Sequence, residues 1–276
     1  MHEERASLPS PIVGRDQDQL RAEVAARDLR KVLSLPAGPA WNLPAIAERA
    51  GLYAFTLDLG DESLDGSYVR LEKAGVALVN GGRQTGRRRF TLVHELGHHL
   101  FADDFSPEWI VGADGDDRER LINAFVIHFL LPRESIQPRW QELGGRNDAR
   151  TAAIVLGAEF GASWTAVLGQ WCNLELIDSQ LRERLERDRP SKADYLEGGV
   201  TLREELSPPA VPPRFAQAVV RAYKRHKISA RRLSSSCAAL WAPSTSRPKI
   251  EFLRTPCARS STWTDGWRFW SSTVRR

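Results

Sequence analysis

The sequence contains little cysteine and no long hydrophobic run, and both absences restrict what the protein can be. Of its 276 residues, only Cys172, Cys237 and Cys257 carry thiols, and none has the C-x-x-C spacing of a thiolate metal site. No apolar run approaches the ~20 residues that cross a bilayer, and no signal-peptide pattern follows the first residues. We therefore expect no disulfide framework and no membrane partner, and we predict a cytoplasmic location.

The formal net charge of +4 is unevenly distributed along the chain. Residues 231–276 carry nine Lys or Arg against two Asp or Glu, which leaves a net charge of −3 for residues 1–230. A protein that neutralises nucleic-acid phosphates needs a basic surface. Direct nucleic-acid binding by the folded part of the chain is therefore not expected.

The spacing of apolar residues and glycines predicts an α+β fold. Two helices are predicted first, at 16–33 and 43–50. Three short β-rich runs follow and are separated by glycines, as in a small antiparallel sheet; they are 52–58, 68–71 and 76–80. The remaining predicted helices are 91–101, 116–131, 149–160, 163–172, 179–187 and 215–226. The expected fold is a small antiparallel sheet packed on a helical core, followed by a helical C-terminal part.

The predicted helix at 91–101 contains the pattern H-E-x-x-H, from His94 through Glu95 to His98. Residues four apart on a helix lie about 40° apart around the axis and roughly 6 Å along it, so both imidazoles can bind one ion. Glu95 does not coordinate from its position, but it can accept a proton from a water that zinc activates. The pattern predicts a catalytic zinc site; the alternative is a structural helix with two stacked histidines.

A catalytic zinc site has three protein ligands and one open position, so a third ligand is needed downstream. We predict Glu119, because it lies near the start of the next strong helix, where a carboxylate can face the ion if the two helices pack side by side. Spacing alone leaves five aspartates as alternatives: Asp103, Asp104, Asp114, Asp116 and Asp117. His99 and His128 are excluded as ligands, because helical spacing turns each of them away from the proposed site.

Longer motifs around these residues resemble the ImmA/IrrE family of metallopeptidases. They are Arg88-Arg89-Phe90-Thr91-Leu92-Val93-His94-Glu95-Leu96-Gly97-His98, then Glu119-Arg120-Leu121-Ile122-Asn123-Ala124-Phe125, and Leu130-Leu131-Pro132. The resemblance extends over about residues 16–229 and favours Glu119 as third ligand. It departs from the family at 126–128 and after residue 230.

The resemblance implies a cytoplasmic zinc endopeptidase, with Mn²⁺ as an alternative metal in activity. Its implied substrate is a partner protein, a helix-turn-helix repressor of stress or mobile-element genes. The implied division of the chain is an N-terminal extension (1–15), a zincin-like metallopeptidase domain (16–145), a helical region that continues the family fold (146–230) and a basic Ser/Trp-rich tail (231–276). That tail is either disordered or the product of a shifted reading frame.

Two other functions remain open at this stage. A DNA-binding regulator is suggested by a loose helix-turn-helix outline at 152–172, although 163–170 contains no Lys or Arg and a packed helical bundle explains the same pattern. A non-catalytic sensor that binds zinc would share all three ligands, and only Glu95 distinguishes the two. The run 76–80 is predicted either as an edge strand beside the zinc, to which an extended substrate adds, or as a central strand.

Overall fold

The structure, a computed structural model, describes residues 15–60, 64–101 and 115–241, and it confirms the α+β class. The N-terminal half contains α1 (Arg15–Val32), α2 (Leu43–Arg49), β1 (Leu52–Leu57), β2 (Gly66–Arg70), β3 (Gly75–Asn80), α3 (Thr85–Phe101) and α4 (Gly115–Leu130). The C-terminal half contains α5 (Arg133–Glu142), α6 (Ala149–Phe160), α7 (Trp164–Asn173), α8 (Ser179–Arg187), α9 (Lys192–Glu197), α10 (Pro213–Lys224) and α11 (Ala230–Trp241). Of these, α5, α9 and α11 were not predicted from the sequence.

The three strands form a mixed sheet in the order β1-β3-β2, and not the antiparallel sheet expected from their spacing. β3 pairs in parallel with β1 and antiparallel with β2. Of the two alternatives for 76–80, the structure therefore shows the central strand and not the edge strand. Its uninterrupted apolar run fits that position, since a central strand over a packed helix has few solvent-facing residues. Among the strands that the structure describes, β1 and β2 are the edges.

The helix α3 lies against the inner face of the sheet and is held between it and α4. Leu92, Val93 and Leu96 are almost completely buried in the core between these layers. On the other side of α4, the long helix α1 completes the packing. The helix that carries the H-E-x-x-H pattern is thus surrounded by secondary structure on most of its circumference, as its apolar residues require.

A connecting segment at 203–214 crosses the N-terminal half and is fixed by several polar contacts. Its Glu205 accepts a hydrogen bond of 2.7 Å from the backbone N–H of Leu43, at the start of α2. In return, the carboxylate of Glu48 in α2 accepts one of 2.9 Å from the N–H of Arg214, in the first turn of α10. Between them, Ala210 forms a β-bridge with Thr56 of β1, with 2.9 Å hydrogen bonds in both directions.

Four arginines at the start of α3 or just before it are ion-paired, and two of them are buried. Arg83 and Arg87 both bind Asp65. Arg88 pairs with Glu204, and the completely buried Arg89 pairs with Glu205.

The predicted helix-turn-helix outline at 152–172 is part of the hydrophobic core. Most side chains of α6 and α7 are buried, so α7 is not exposed for contact with a DNA groove. Within the described ranges, no single helix is both long and apolar enough to cross a membrane; the segments Gly145–Phe160 and Trp164–Asn173 satisfy that test only jointly, across a bend of 108°.

The residues after 230 were predicted to lack regular structure. For residues 231–241 that prediction is wrong. Residues 230–241 form α11, which packs on α10. The remainder of the predicted tail, 242–276, lies outside the described residues.

Candidate metal centre

Three side chains from two helices converge in a group that could hold a metal ion: His94, His98 and Glu119. The Nε2 atoms of His94 and His98 are 3.1 Å apart. Each of these nitrogens lies 3.3 Å from a carboxylate oxygen of Glu119, Oε2 for His94 and Oε1 for His98. The three side chains are partly exposed, and that of Glu119 is 47% exposed, so solvent reaches the group.

The close packing of α3 on α4 brings Glu119 to the two histidines, and it depends on Gly97. A Cβ atom built on Gly97 would lie 2.8 Å from Cγ2 of Ile122, which is closer than real Cβ contacts. Ile122 follows Glu119 by three residues, almost one helical turn. The glycine inside the H-E-x-x-H pattern therefore permits the approach that places the carboxylate beside both imidazoles.

The geometry of the three atoms fits a tetrahedral zinc site. Ligand atoms at ~2.0–2.1 Å from a tetrahedral zinc ion lie about 3.3 Å from one another, and the observed separations are 3.1 to 3.3 Å. Two imidazoles and one carboxylate are also a donor set of known catalytic zinc sites. The residues present thus fit this metal, and one side of the group is left open.

Both histidines are held in the neutral form that a metal ligand requires. Burial lowers the pKa of His94, against the opposing effect of the Glu119 carboxylate. Burial also lowers the pKa of His98, and repulsion from Arg118 and from His94 when it is protonated acts in the same direction. The Nδ1 atom of His94 is buried and has no hydrogen-bond partner among the described residues.

Glu95 lies on the face of α3 that is directed at the sheet. It is 7% exposed, and burial, with a further contribution from the charge of Glu119, raises its pKa to about 7. The backbone of Gly66 in β2 lies against it, since a Cβ built on Gly66 would be 3.1 Å from Oε1 of Glu95 and 2.4 Å from Cγ2 of Thr91. The candidate base is thus adjacent to the edge strand β2.

The structure brings the three predicted ligands together and places the two excluded histidines elsewhere. His99 is 3.0 Å from the hydroxyl of Tyr68 through its Nδ1 atom. His128 lies between Gln19 and Gln170 in the packing of α4. Of the alternative ligands, Asp117 is ion-paired with Arg120. The side chains of Asp103, Asp104, Asp114 and Asp116 lie outside the described part of the structure.

Sequence reasoning missed Gly66, Tyr68 and Arg118 as neighbours of this group. Gly66 and Tyr68 occur two residues apart in β2, so both are directed towards α3. The glycine could have been suspected, because a glycine inside a strand often marks a close approach. Arg118 could have been suspected as a neighbour because it directly precedes Glu119 in the chain.

The profile of the family described as IrrE N-terminal-like domain (Peptidase_M78) matches residues 47–169. No curated protein matches the chain. Among solved structures, a Mycobacterium tuberculosis transcriptional regulator is similar, with 21% identity, a TM-score of 0.41, and coverage of 54% of this chain and 45% of that chain. The likeness spans less than half of the length of the regulator.

The family match includes the metal group and the neighbouring carboxylate but excludes the 203–214 segment, α10 and α11. Residues 47–169 of the chain thus match the profile of the IrrE N-terminal-like domain, which agrees with the family resemblance of the sequence motifs.

Proposed function

We propose that the protein is a zinc-dependent endopeptidase in which His94, His98 and Glu119 bind the metal and Glu95 is the general base. The observation that supports it most directly is the triangle of three ligand atoms with sides of 3.1 to 3.3 Å, formed beside a buried carboxylate. When bound, zinc supplies a Lewis acid that polarises the scissile carbonyl and lowers the pKa of a water molecule.

In this proposal, the residues of the chain perform two tasks. Glu95 takes a proton from the attacking water and delivers it to the leaving amine, the role of a general base that becomes a general acid. The partly exposed side of the metal group admits the peptide, since Glu119 is half exposed and both histidines are about one-fifth exposed. The burial of Glu95 keeps its carboxyl group beside that open side and away from bulk water.

We also propose that the substrate binds as an extended segment along β2 rather than along β3. The pairing of Leu71 with Ala74 and of Asn80 with Asp65 directs the odd-numbered residues of β2 towards β3. Because hydrogen-bonding direction alternates along an antiparallel strand, Gly66, Tyr68 and Arg70 direct their N–H and C=O groups outwards. A peptide added at this edge passes the position of Glu95.

The variant Glu95→Gln tests the catalytic proposal. An amide can neither take a proton from water nor transfer it, so we expect normal folding and zinc content of about one ion per chain, but a loss of at least 100-fold in cleavage. By contrast, the matched variant Glu119→Ala is expected to lose both cleavage and zinc. Undiminished cleavage by Glu95→Gln would exclude this mechanism.

The variant Arg70→Pro tests the position of the substrate. Proline removes an outward N–H without disturbing the pairing to β3, so cleavage is expected to fall while zinc remains bound. Arg70→Ala is the control for the lost side chain and is expected to retain activity. Equal activity of the proline variant and the alanine control would exclude an added strand at β2.

The substrate we propose is a helix-turn-helix repressor, in a bacterial stress or mobile-element response. Support comes only from the family resemblance, so the direct test is incubation with the repressor encoded nearest to the gene, in the presence of Zn²⁺ or Mn²⁺. A fragment produced by the wild-type chain and not by Glu95→Gln is the expected result. If the metal is bound and no metal state gives cleavage, the zinc-binding sensor replaces the endopeptidase as the preferred function.

A further inference from the structure

The charge of the chain changes sign after residue 206. Residues 1–206 contain 25 Lys or Arg and 33 Asp or Glu. The next 35 residues, 207–241, contain no Asp or Glu and seven basic residues: Arg214, Arg221, Lys224, Arg225, Lys227, Arg231 and Arg232. An average over residues 1–230 conceals this contrast, because it adds most of α10 and the following turn to the acidic part of the chain.

These seven residues form an exposed basic surface on α10, α11 and the turn between them. All seven are exposed, and within the described ranges none of them forms an ion pair with an Asp or Glu side chain. Some exposed arginines elsewhere have such partners, since Arg146 binds Asp178 and Arg187 lies 3.5 Å from Glu183, whereas Arg184 and Arg189 have none within the described ranges. The positive charge of α10 and α11 is therefore not compensated within the described structure.

Part of this surface is a straight row along one face of α10. Arg214, Arg221 and Arg225 are spaced by seven and four residues, which places them within about 40° of one another around the helix. The row is about 16 Å long, from the rise of 1.5 Å per residue. Beyond the turn, Arg231 and Arg232 lie in the first turn of α11.

The opposite face of α10 packs on the protein and fixes the orientation of the row. Phe215 contacts Phe55 of β1 edge to face, with ring centroids 5.2 Å apart. The first turn is further fixed by Glu48, which accepts the N–H of Arg214. Only Val220 and Tyr223 remain as exposed large apolar residues of α10, at 40% and 39% exposure. The helix therefore presents its charged side outwards.

We propose that the basic surface of α10 and α11 binds the phosphate backbone of double-stranded DNA. A rigid row of unpaired arginines matches a polyanion with one charge per ~1.7 Å of axis. Insertion into an anionic membrane needs a free apolar face, which the Phe215 contact occupies in part. Single-stranded nucleic acid is bound largely by stacked aromatic side chains, and Tyr223 is the large aromatic residue that is exposed on α10. This activity is separate from the proposed peptidase activity.

The experiment measures binding of the full chain to a fluorescent duplex of about 20 base pairs with random sequence, at about 50 to 200 mM salt. The test variant is Arg221→Gln with Arg225→Gln, and the control is Arg184→Gln with Arg187→Gln in α8, which removes the same charge from another exposed helix. We expect the test variant to bind about tenfold or more weakly, with a salt slope smaller by about 1.8, because each lost phosphate contact removes about 0.9. The control is expected to bind like the wild type.

Because both variants share every residue outside the exchanged pairs, their difference reports on α10 and the turn that follows it. Thermal unfolding monitored by circular dichroism verifies that each variant is folded. No binding of the wild-type chain at about 50 mM salt, or equal weakening in the two variants, would overturn the proposal. So would binding to phosphatidylserine vesicles, or to polyglutamate of equal charge, as tight as binding to DNA.

Discussion

Gly97 is predicted to have a large effect on the metal group, although it binds nothing itself. Gly97→Ala would place a methyl group 2.8 Å from Cγ2 of Ile122 and push α4 away from α3. We expect zinc affinity to fall by tenfold or more, measured by titration against a competing chelator, since Glu119 then no longer reaches both histidines.

The control for this variant is Gly169→Ala, another glycine within a helix. A Cβ on Gly169 would lie at an ordinary 3.6 Å from Cδ1 of Ile127, so that substitution is expected to leave zinc affinity unchanged. If Gly97→Ala bound zinc as tightly as the wild type, the distance between α3 and α4 would not limit the site.

His128 is predicted to make stability depend on pH. Burial lowers its pKa from 6.5 to about 4, with Glu23 opposing and Arg133 adding to the shift. The unfolded state therefore binds the proton more readily, and the free energy of unfolding falls as the pH falls from 6.5 towards 4, by up to about 3 kcal/mol. Above pH 6.5 this contribution is constant.

Urea unfolding at several pH values tests this prediction. His128→Gln is expected to show a weaker decline in stability between pH 6.5 and 4 than the wild type does. His226→Gln, which changes an exposed histidine, is expected to behave like the wild type. A decline in His128→Gln as steep as in the wild type would assign the acid sensitivity to other groups.

At the residue scale, the sequence predicted the metal group better than it predicted its surroundings. Helical spacing was sufficient to pair His94 with His98, whereas Glu119 was separated from the aspartates only by the family motif. The burial of Arg89 could not be predicted, because its partner Glu205 is 116 positions away and lies in a proline-rich stretch that resembles an ordinary linker. Long-range ion pairs leave no periodic signal in a sequence.

At the scale of secondary structure, the 203–214 segment is predicted to stabilise the whole N-terminal half. Glu205→Ala would leave Arg89, which is completely buried, without its carboxylate. Removal of one partner from a buried ion pair costs about 3 to 5 kcal/mol, so we expect a loss of that size in chemical unfolding. The exposed pair of Arg187 and Glu183 is the comparison, and Glu183→Gln is expected to cost less than about 1 kcal/mol.

The effect of the uncompensated charge on Arg89 can be distinguished from the effect of removing the other contacts of the Glu205 side chain. If the uncompensated charge of Arg89 is responsible, Arg89→Met combined with Glu205→Ala is expected to be more stable than Glu205→Ala alone. A double variant that is no more stable than the single variant would assign the effect to the lost contact with the N–H of Leu43.

The existence and type of most elements could be predicted, while the order of the strands could not. Period-2 and period-3.6 patterns located β1 to β3 and the long helices to within a few residues, because burial imposes those patterns locally. Strand order depends on which strands pair with each other across the sheet. An apolar run such as that of β3 can occur both at an edge and in the centre, so the run alone does not predict the order. The short helices α5 and α9 were missed because Pro138 interrupts the first and the second has only six residues.

At the scale of the whole molecule, the boundary of the folded unit is predicted to follow the 203–214 segment and not the family match. A chain that ends at Ser229 retains the contacts of Glu204, Glu205, Ala210 and Arg214, so it is expected to fold and to bind zinc. A chain that ends at Gly199 lacks all of them and is expected to unfold or to bind zinc weakly. Circular dichroism and zinc content decide between these outcomes, and equal stability of the two chains would show that the segment is dispensable.

The ion pair between Arg89 and Glu205 also has a consequence for the synthesis of the protein. The two residues are separated by 116 positions, and at about 5 to 20 residues per second a ribosome needs roughly 6 to 23 s to travel between them. During that interval the metal helix exists on the nascent chain without the carboxylate that neutralises its buried guanidinium. Stable burial of α3 therefore has to wait until Glu205 has been synthesised, so the proposed protease completes its metal-binding half after that half has emerged rather than while it emerges.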